Sequence, residues 1–107
     1  MIYHWCLESD WEAAGVSYVA DSLAEEGFIH FSFRDQVERT ATTLDRGRPN
    51  MVLLCVDDTG LEVVVEDSYG GGEEFPHFYG PIPADAVVRV LPFPPQADGS
   101  FLLPEGV

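Results

Sequence analysis

Lysine is absent from this chain. Its 5 basic residues are all arginines and they face 19 aspartates and glutamates, for a formal net charge of −14. A field of that sign repels polyanions, and no basic stripe interrupts it, which excludes duplex DNA and anionic membranes as partners. Screening over about 8 Å still allows a local arginine pair to hold one small phosphorylated ligand. Cysteine is scarce as well. Cys6 and Cys55 each sit inside an apolar run, without the close spacing of a zinc knuckle or a redox pair, and are expected to be reduced, buried thiols. No apolar run approaches the ~20 residues of a membrane span. The start, Met1 to Cys6, lacks the basic and hydrophobic regions of a signal peptide, so the expected location is the cytoplasm. No H-x-H or H-x-x-x-H spacing and no G-x-S-x-G elbow occurs, so neither a metal nor a nucleophilic serine is expected. Gly70-Gly71-Gly72 has carboxylates on both sides and no lysine, which argues against a phosphate cradle.

What the chain does have is apolar and aromatic content, 46% and 12% of 107 residues, enough to form a packed core in one domain over residues 1–107. Period two makes Ile2–Cys6 a strand with Ile2, His4 and Cys6 on one face and Tyr3 and Trp5 on the other. Ser9 with Glu12, Ser22 with Glu25 and Ser32 with Asp35 have the spacing of N-terminal capping boxes, with Gly15 and Gly27 stopping the first two turns. Phe28–Phe33 is a second strand, placing Phe28, His30 and Ser32 opposite Ile29, Phe31 and Phe33. Val37, Ala41 and Leu44 then share the inner face of the main helix, which ends at Arg46-Gly47-Arg48-Pro49. Met51–Val56 is apolar throughout, as a central strand covered on both faces would be. Leu61–Asp67 alternates, with Leu61, Val63 and Val65 inward. Ala86–Leu91 reads as a largely buried strand and Phe101–Leu103 as a short last one. About six strands, one main helix and one or two short ones give an α+β fold, a small bent or split mixed sheet.

The stiffest segment is Phe75-Pro76-His77-Phe78-Tyr79-Gly80-Pro81-Ile82-Pro83. Proline fixes φ and removes a donor, so this stretch is expected to be a rigid crossover rather than a central strand, its aromatics either lining a cleft or capping the core. His4, His30 and His77 are the chain's 3 imidazoles, each beside an aromatic. Neutral imidazole donates and accepts at once, so the three either serve structure singly or share a site.

Several blocks stand in a fixed order: Ile2-Tyr3-His4, Asp10-Trp11-Glu12-Ala13-Ala14, Ser22-Leu23, Glu26-Gly27-Phe28-Ile29-His30-Phe31-Ser32, Val64-Val65-Glu66-Asp67-Ser68, and the segment Phe75–Pro83. Taken together the chain resembles the small bacterial domain-of-unknown-function family 952 over essentially its whole length. Phe31, where the family often has a small residue, and Val65, where it often has tryptophan, depart from the pattern.

That resemblance implies a fold similar to ADP-ribosyltransferases and the RNA 2′-phosphotransferases, a split sheet around a nicotinamide-dinucleotide cleft, with NAD a substrate. It makes His4 the ribose-holding residue of the first strand, His30 or Tyr79 the group against nicotinamide, and Glu66 the late-strand carboxylate. The implied catalytic set is therefore His4, His30 and Glu66, with His77, Tyr79, Phe78 and Ser32 binding substrate. Cleaving a nicotinamide–ribose bond passes through an oxocarbenium-like cation that a carboxylate stabilises. Arg46 and Arg48 have the fork that matches pyrophosphate, but their place beside Gly47 and Pro49 is that of a solvated turn. Three classes are thus open: a transferase-like enzyme, a non-catalytic module binding a small metabolite or peptide, and an acidic interaction domain with a basic protein partner. Converging histidines beside Glu66 favour the first; dispersed histidines favour the last.

Overall fold

A computed structural model describes all residues from Met1 to Val107. The chain runs β1 (Ile2–Leu7), α1 (Glu8–Glu12), β2 (Ser17–Tyr18), α2 (Asp21–Glu26), β3 (Ile29–His30), α3 (Arg34–Asp45), β4 (Met51–Val56), β5 (Val64–Glu66), β6 (Phe75–Phe78), β7 (Ile82–Pro83), a single 3-10 turn at Ala84–Ala86, and β8 (Val87–Pro92). The architecture is α+β, with three small sheets ordered β1-β4-β8, β2-β7 and β3-β6-β5. Every strand pair is antiparallel, so the expected mixed sheet is not what forms. Antiparallel pairing gives the slightly more stable ladder per residue and lets a small sheet keep one face on the core and the other toward solvent.

β4 is the centre of the largest sheet and is buried along its whole length, as its unbroken apolar run requires. Alternation along β1 and β4 divides the interior into two cores. Ile2, Cys6, Val52, Leu54 and Val56 pack on one side with Tyr18, Ile29, Phe31 and Ile82. Tyr3, Leu53 and Cys55 pack on the other with Val37 and Ala41 of α3 and with Phe93 and Phe101. Cys6 and Cys55 are buried on opposite sides and unbridged.

Several local expectations fail for identifiable reasons. Pro76 lies in β6, the middle strand of its sheet, so Phe75–Phe78 is not a crossover. β3 pairs only Ile29 and His30 with Phe78 and His77, and beyond that ladder only the Pro76 carbonyl is used, accepting from Phe31 N–H at 3.0 Å. The missing proline N–H would have returned a bond to the Phe31 carbonyl, so the ladder stops at His30 and only that one bond is given up. Ser9 and Ser22 sit inside α1 and α2, whose N-caps are Leu7 and Ala20, and neither serine caps. Phe33, not Ser32, caps α3, its N–H donating to Gln36 Oε1 at 2.9 Å. Gly27 does close α2, at φ 88°.

Leu44 is exposed although it lies only about 20° around the helix from Val37, because it sits in the last turn, past the core held by Val37 and Ala41. Val65 is exposed as well, since β5 is an edge strand only three residues long. β8 is an edge strand with Val88 and Val90 exposed, not a largely buried one. Residues 101–103 form no strand: Phe101 and Leu103 donate their N–H groups to Thr42 Oγ1 and Glu38 Oε2 of α3 instead of to a neighbouring strand. No helix is long and apolar enough to cross a membrane.

Candidate functional site

The site begins at a missing rung. Tyr3 and Ser32 exchange both backbone hydrogen bonds, at 2.9 and 2.8 Å, forming an isolated antiparallel bridge between β1 and the β3 segment. Continued by one step, that register would set Trp5 opposite His30. The step is not made, because His4 Nδ1 lies 2.6 Å from the His30 carbonyl oxygen and donates to it. Backbone alternation turns Trp5 the same way as Tyr3, away from β4. Its N–H and C=O therefore face the gap with no backbone partner. A cleft of about 610 Å³ opens where the two strands part, lined by His4, Trp5, His30 and Phe31, by Ala20 and Ser22, by the outer side of α3, and by Tyr69 and Phe75.

His4 is fully committed. With Nδ1 donating to His30, its Nε2 accepts from the Tyr18 hydroxyl at 3.0 Å. Burial pushes its pKa down to about 4, so the ring is neutral at ordinary pH, and the same burial raises that of Tyr18. Both nitrogens being used, His4 shapes the split rather than offering a free group to a ribose.

His30 is clamped from both sides on the cleft wall. Its Nε2 lies 2.5 Å from Glu26 Oε2, four residues earlier at the end of α2, and its Nδ1 bonds the Tyr69 hydroxyl. The Tyr69 ring also lies nearly parallel to the imidazole, 17° apart in plane. Burial raises the Tyr69 pKa, and Glu26 adds to the rise. Tyr69 is carried by a loop that Asp67 ties down, its carboxylate accepting from the N–H groups of Tyr69, Gly71 and Gly72. Those amides, the Gly72 N–H first, hold the Asp67 pKa below the usual carboxylate range.

The remaining candidates form a second cluster behind this wall. His77 pairs with His30 in the β3–β6 register, and their rings meet edge-on with centroids 5.4 Å apart. His77 is sealed from solvent, stacked on Phe28 at 4.1 Å, with Nδ1 donating to Glu66 Oε2 at 3.0 Å and Nε2 unpartnered. Tyr79 also donates to Glu66, and these two bonds, the Tyr79 one first, lower the Glu66 pKa. Glu66, His77 and Tyr79 therefore belong together but do not line the cleft. Ser32 is buried at the Tyr3 bridge and Phe78 packs against the first core, so neither lines the cleft. Arg46 bonds the Asp98 carbonyl of the C-terminal loop and Arg48 the Asp45 carboxylate beside its own turn, and neither lines the cleft. Arg39 of α3 is the arginine on the cleft, gripped by Glu73 through two bonds of 2.9 and 2.7 Å.

Of the seven predicted residues, then, only His4 and His30 reach the cleft. Trp5, Tyr69, Ser22 and Thr40 were not anticipated in it, nor was Glu26 as the partner of His30 beside it, whereas Phe75 comes from the stiff segment whose aromatics were expected to line a cleft or cap the core. Glu26 carried a signal, lying four residues before His30; Trp5 acts through its main chain, which leaves no mark in composition. No group of three or more His, Cys, Asp or Glu side chains is arranged to hold a metal ion.

An α+β domain split at a histidine, with two carboxylate–imidazole pairs beside the split, is what the chain builds. It belongs to the family described as "Protein of unknown function (DUF952)", whose match spans residues 5–90. The crystal structure of protein CC0527 from Caulobacter crescentus is similar, with 36% identity and a TM-score of 0.84 over 95% of this chain and 93% of that one. The solution structure of CC0527 matches at 34% identity and a TM-score of 0.80, covering 92% and 89% of the two chains. No curated protein matches the chain significantly.

Proposed function

We propose that the cleft between β1 and β3 binds the carboxamide-bearing ring of a nicotinamide dinucleotide, in a domain similar to ADP-ribosyltransferases. The observation that carries this reading is the unpartnered N–H and C=O of Trp5 facing the cleft. A primary carboxamide has one acceptor and one donor on the same edge, so it can complete the absent rung with two hydrogen bonds. Main-chain groups that have lost their ladder partner take water or a ligand in its place, and such a ligand would satisfy both at once. Ser22 and Thr40 also line the cleft, but their hydroxyl oxygens are sealed from it, so the polar recognition falls to Trp5. The aromatic faces of Tyr69, Phe75 and His30 suit a flat ring, and the volume lies within the range of small-ligand pockets.

An extended peptide would also complete a strand edge. Tyr3 is already occupied by Ser32, and β1 ends at Leu7, so too few rungs are free for a peptide to register. The carboxamide is the better fit. Glu66 would act on the ribose only after releasing His77 and Tyr79, so the transferase chemistry rests on the resemblance and not on this carboxylate's resting position.

Thermal shift with NAD, nicotinamide and ADP-ribose tests the reading. Ligand at about a hundred times its dissociation constant adds ~2.7 kcal/mol of apparent stability. The expected result is a rise with NAD and with nicotinamide. Stabilisation by ADP-ribose alone, or by none of the three, overturns it.

A further inference from the structure

Glu26, His30 and Tyr69 form a continuous chain of hydrogen bonds ending on the cleft, and nothing in the core needs it. Glu26 and Tyr69 are exposed, so their bonds to His30 are not there to satisfy buried groups. The arrangement fixes a tautomer. A carboxylate at 2.5 Å holds the proton on Nε2, which leaves the Nδ1 lone pair turned to the Tyr69 hydroxyl. We propose that His30 is the general base of the cleft, held in that tautomer by Glu26 as a positioning residue, with the Tyr69 hydroxyl occupying the place of the acceptor hydroxyl until one arrives.

This rests on the dinucleotide reading above and completes its chemistry. Tyr69 is exposed, so its side chain can rotate off Nδ1 to another staggered position without moving the loop that Asp67 holds. With Tyr69 displaced, an alcohol or water takes its position on Nδ1. The acceptor oxygen then forms a bond to the ribose C1′ as the C1′–nitrogen bond breaks. The bonding pair leaves with nicotinamide, which departs neutral, and the acceptor's proton goes to Nδ1. The imidazolium so formed faces Glu26, and its proton passes afterwards to water. No oxidant, metal or further reactant is needed. His77 and His4 cannot take this part: the first is sealed and the second has both nitrogens in use.

The test uses the full chain and NAD. Calorimetry measures NAD binding, and chromatography measures nicotinamide release, for wild type and His30→Gln. The expected result, at NAD concentrations that saturate each protein as judged by the calorimetry, is release at least about a hundredfold slower in the variant, within the range general bases contribute. Equal release overturns the base, and so does wild-type binding without release; in both cases the binding reading stands. If NAD does not bind, that reading falls, and the base is judged without it by diethyl pyrocarbonate, which acylates accessible unprotonated imidazole. Mass spectrometry should then show His30 modified about tenfold faster in Tyr69→Phe than in wild type; equal rates overturn the placeholder. For Glu26, long-range proton–nitrogen spectra should show the Nε2–H tautomer in wild type and Glu26→Asp, and a mixture in Glu26→Ala. An unchanged tautomer in Glu26→Ala removes its role.

Discussion

The bond from His4 Nδ1 to the His30 carbonyl, 2.6 Å long, stands where a β-ladder would otherwise have joined Trp5 to His30. One imidazole thereby stops a sheet from closing, and the space beside it is the cleft.

That placement makes stability depend on pH in a defined direction. His4 is held near a pKa of about 4 when folded, against about 6.5 when unfolded. Between these values the unfolded chain binds a proton the folded one refuses, so stability is full above about pH 6.5 and falls as pH drops toward 4. The loss is of order 3 kcal/mol across the window. The carboxylates with lowered values lose theirs as pH falls past their ordinary values, 4.5 for Glu66 and 3.8 for Asp67, so they add to the slope only at the acid end of the window. Urea melts from pH 7.5 to 4 should show this slope, and His4→Gln should flatten it; an unchanged slope in the variant contradicts the assignment.

Leucines at two positions should behave oppositely. Leu53 is fully buried between Tyr3, Val37 and Phe93, and Leu53→Ala should cost about 3 kcal/mol in transfer and cavity energy. Leu44, on the cleft and 69% exposed, should cost less than about 0.5 kcal/mol as Leu44→Ala. Denaturant midpoints at constant m-value decide the comparison.

Gly99 is a tighter constraint than its loop position suggests. Its φ is 87°, and a Cβ there would meet Arg46 Cγ at 2.8 Å and Gly47 N at 3.2 Å. Gly99→Ala should therefore destabilise by about 2 kcal/mol, from the left-handed backbone and the displaced Arg46 side chain together. Calorimetric melting should show it, while Gly71→Ala, at a position with open space and ordinary φ, should leave the melting point nearly unchanged.

Asp67 separates the site from the fold. Asp67→Ala frees three amides of an exposed loop and the tether of Tyr69, while no core residue moves. NAD affinity by calorimetry should fall about tenfold while Tm shifts by less than about 3 °C. A large Tm loss with intact affinity would mean the loop serves folding instead.

What could be read from the sequence was governed by burial period. The two faces of β1, Ile2 and Cys6 against Tyr3, and the unbroken run of β4 follow from alternation, and both cores obey it. Pro76 misled because proline's exclusion from central strands depends on which neighbour its missing N–H would face, which composition does not carry. Ser9 and Ser22 had cap spacing, but helices starting one residue earlier, at Glu8 and Asp21, left them inside the first turn. β2 and β7 are two residues each, too short for any period to register. His30 and His77 were predicted on separate segments and become neighbours through register alone, whereas Glu66 followed His77 to the far side of that wall. The Tyr69–His30 bond joins residues 39 apart and leaves no trace in local pattern.

The Tyr3–Ser32 bridge sets the inner end of the cleft. Only those two bonds tie the β1-β4-β8 sheet to the β3-β6-β5 sheet along the backbone at this seam, and the His4 side chain supplies the next fastening. Ile2 and Cys6 pack with Ile29 and Phe31 in the first core, so the mouth cannot widen without parting apolar contacts, and the notch keeps its width for the same reason the interior keeps its packing.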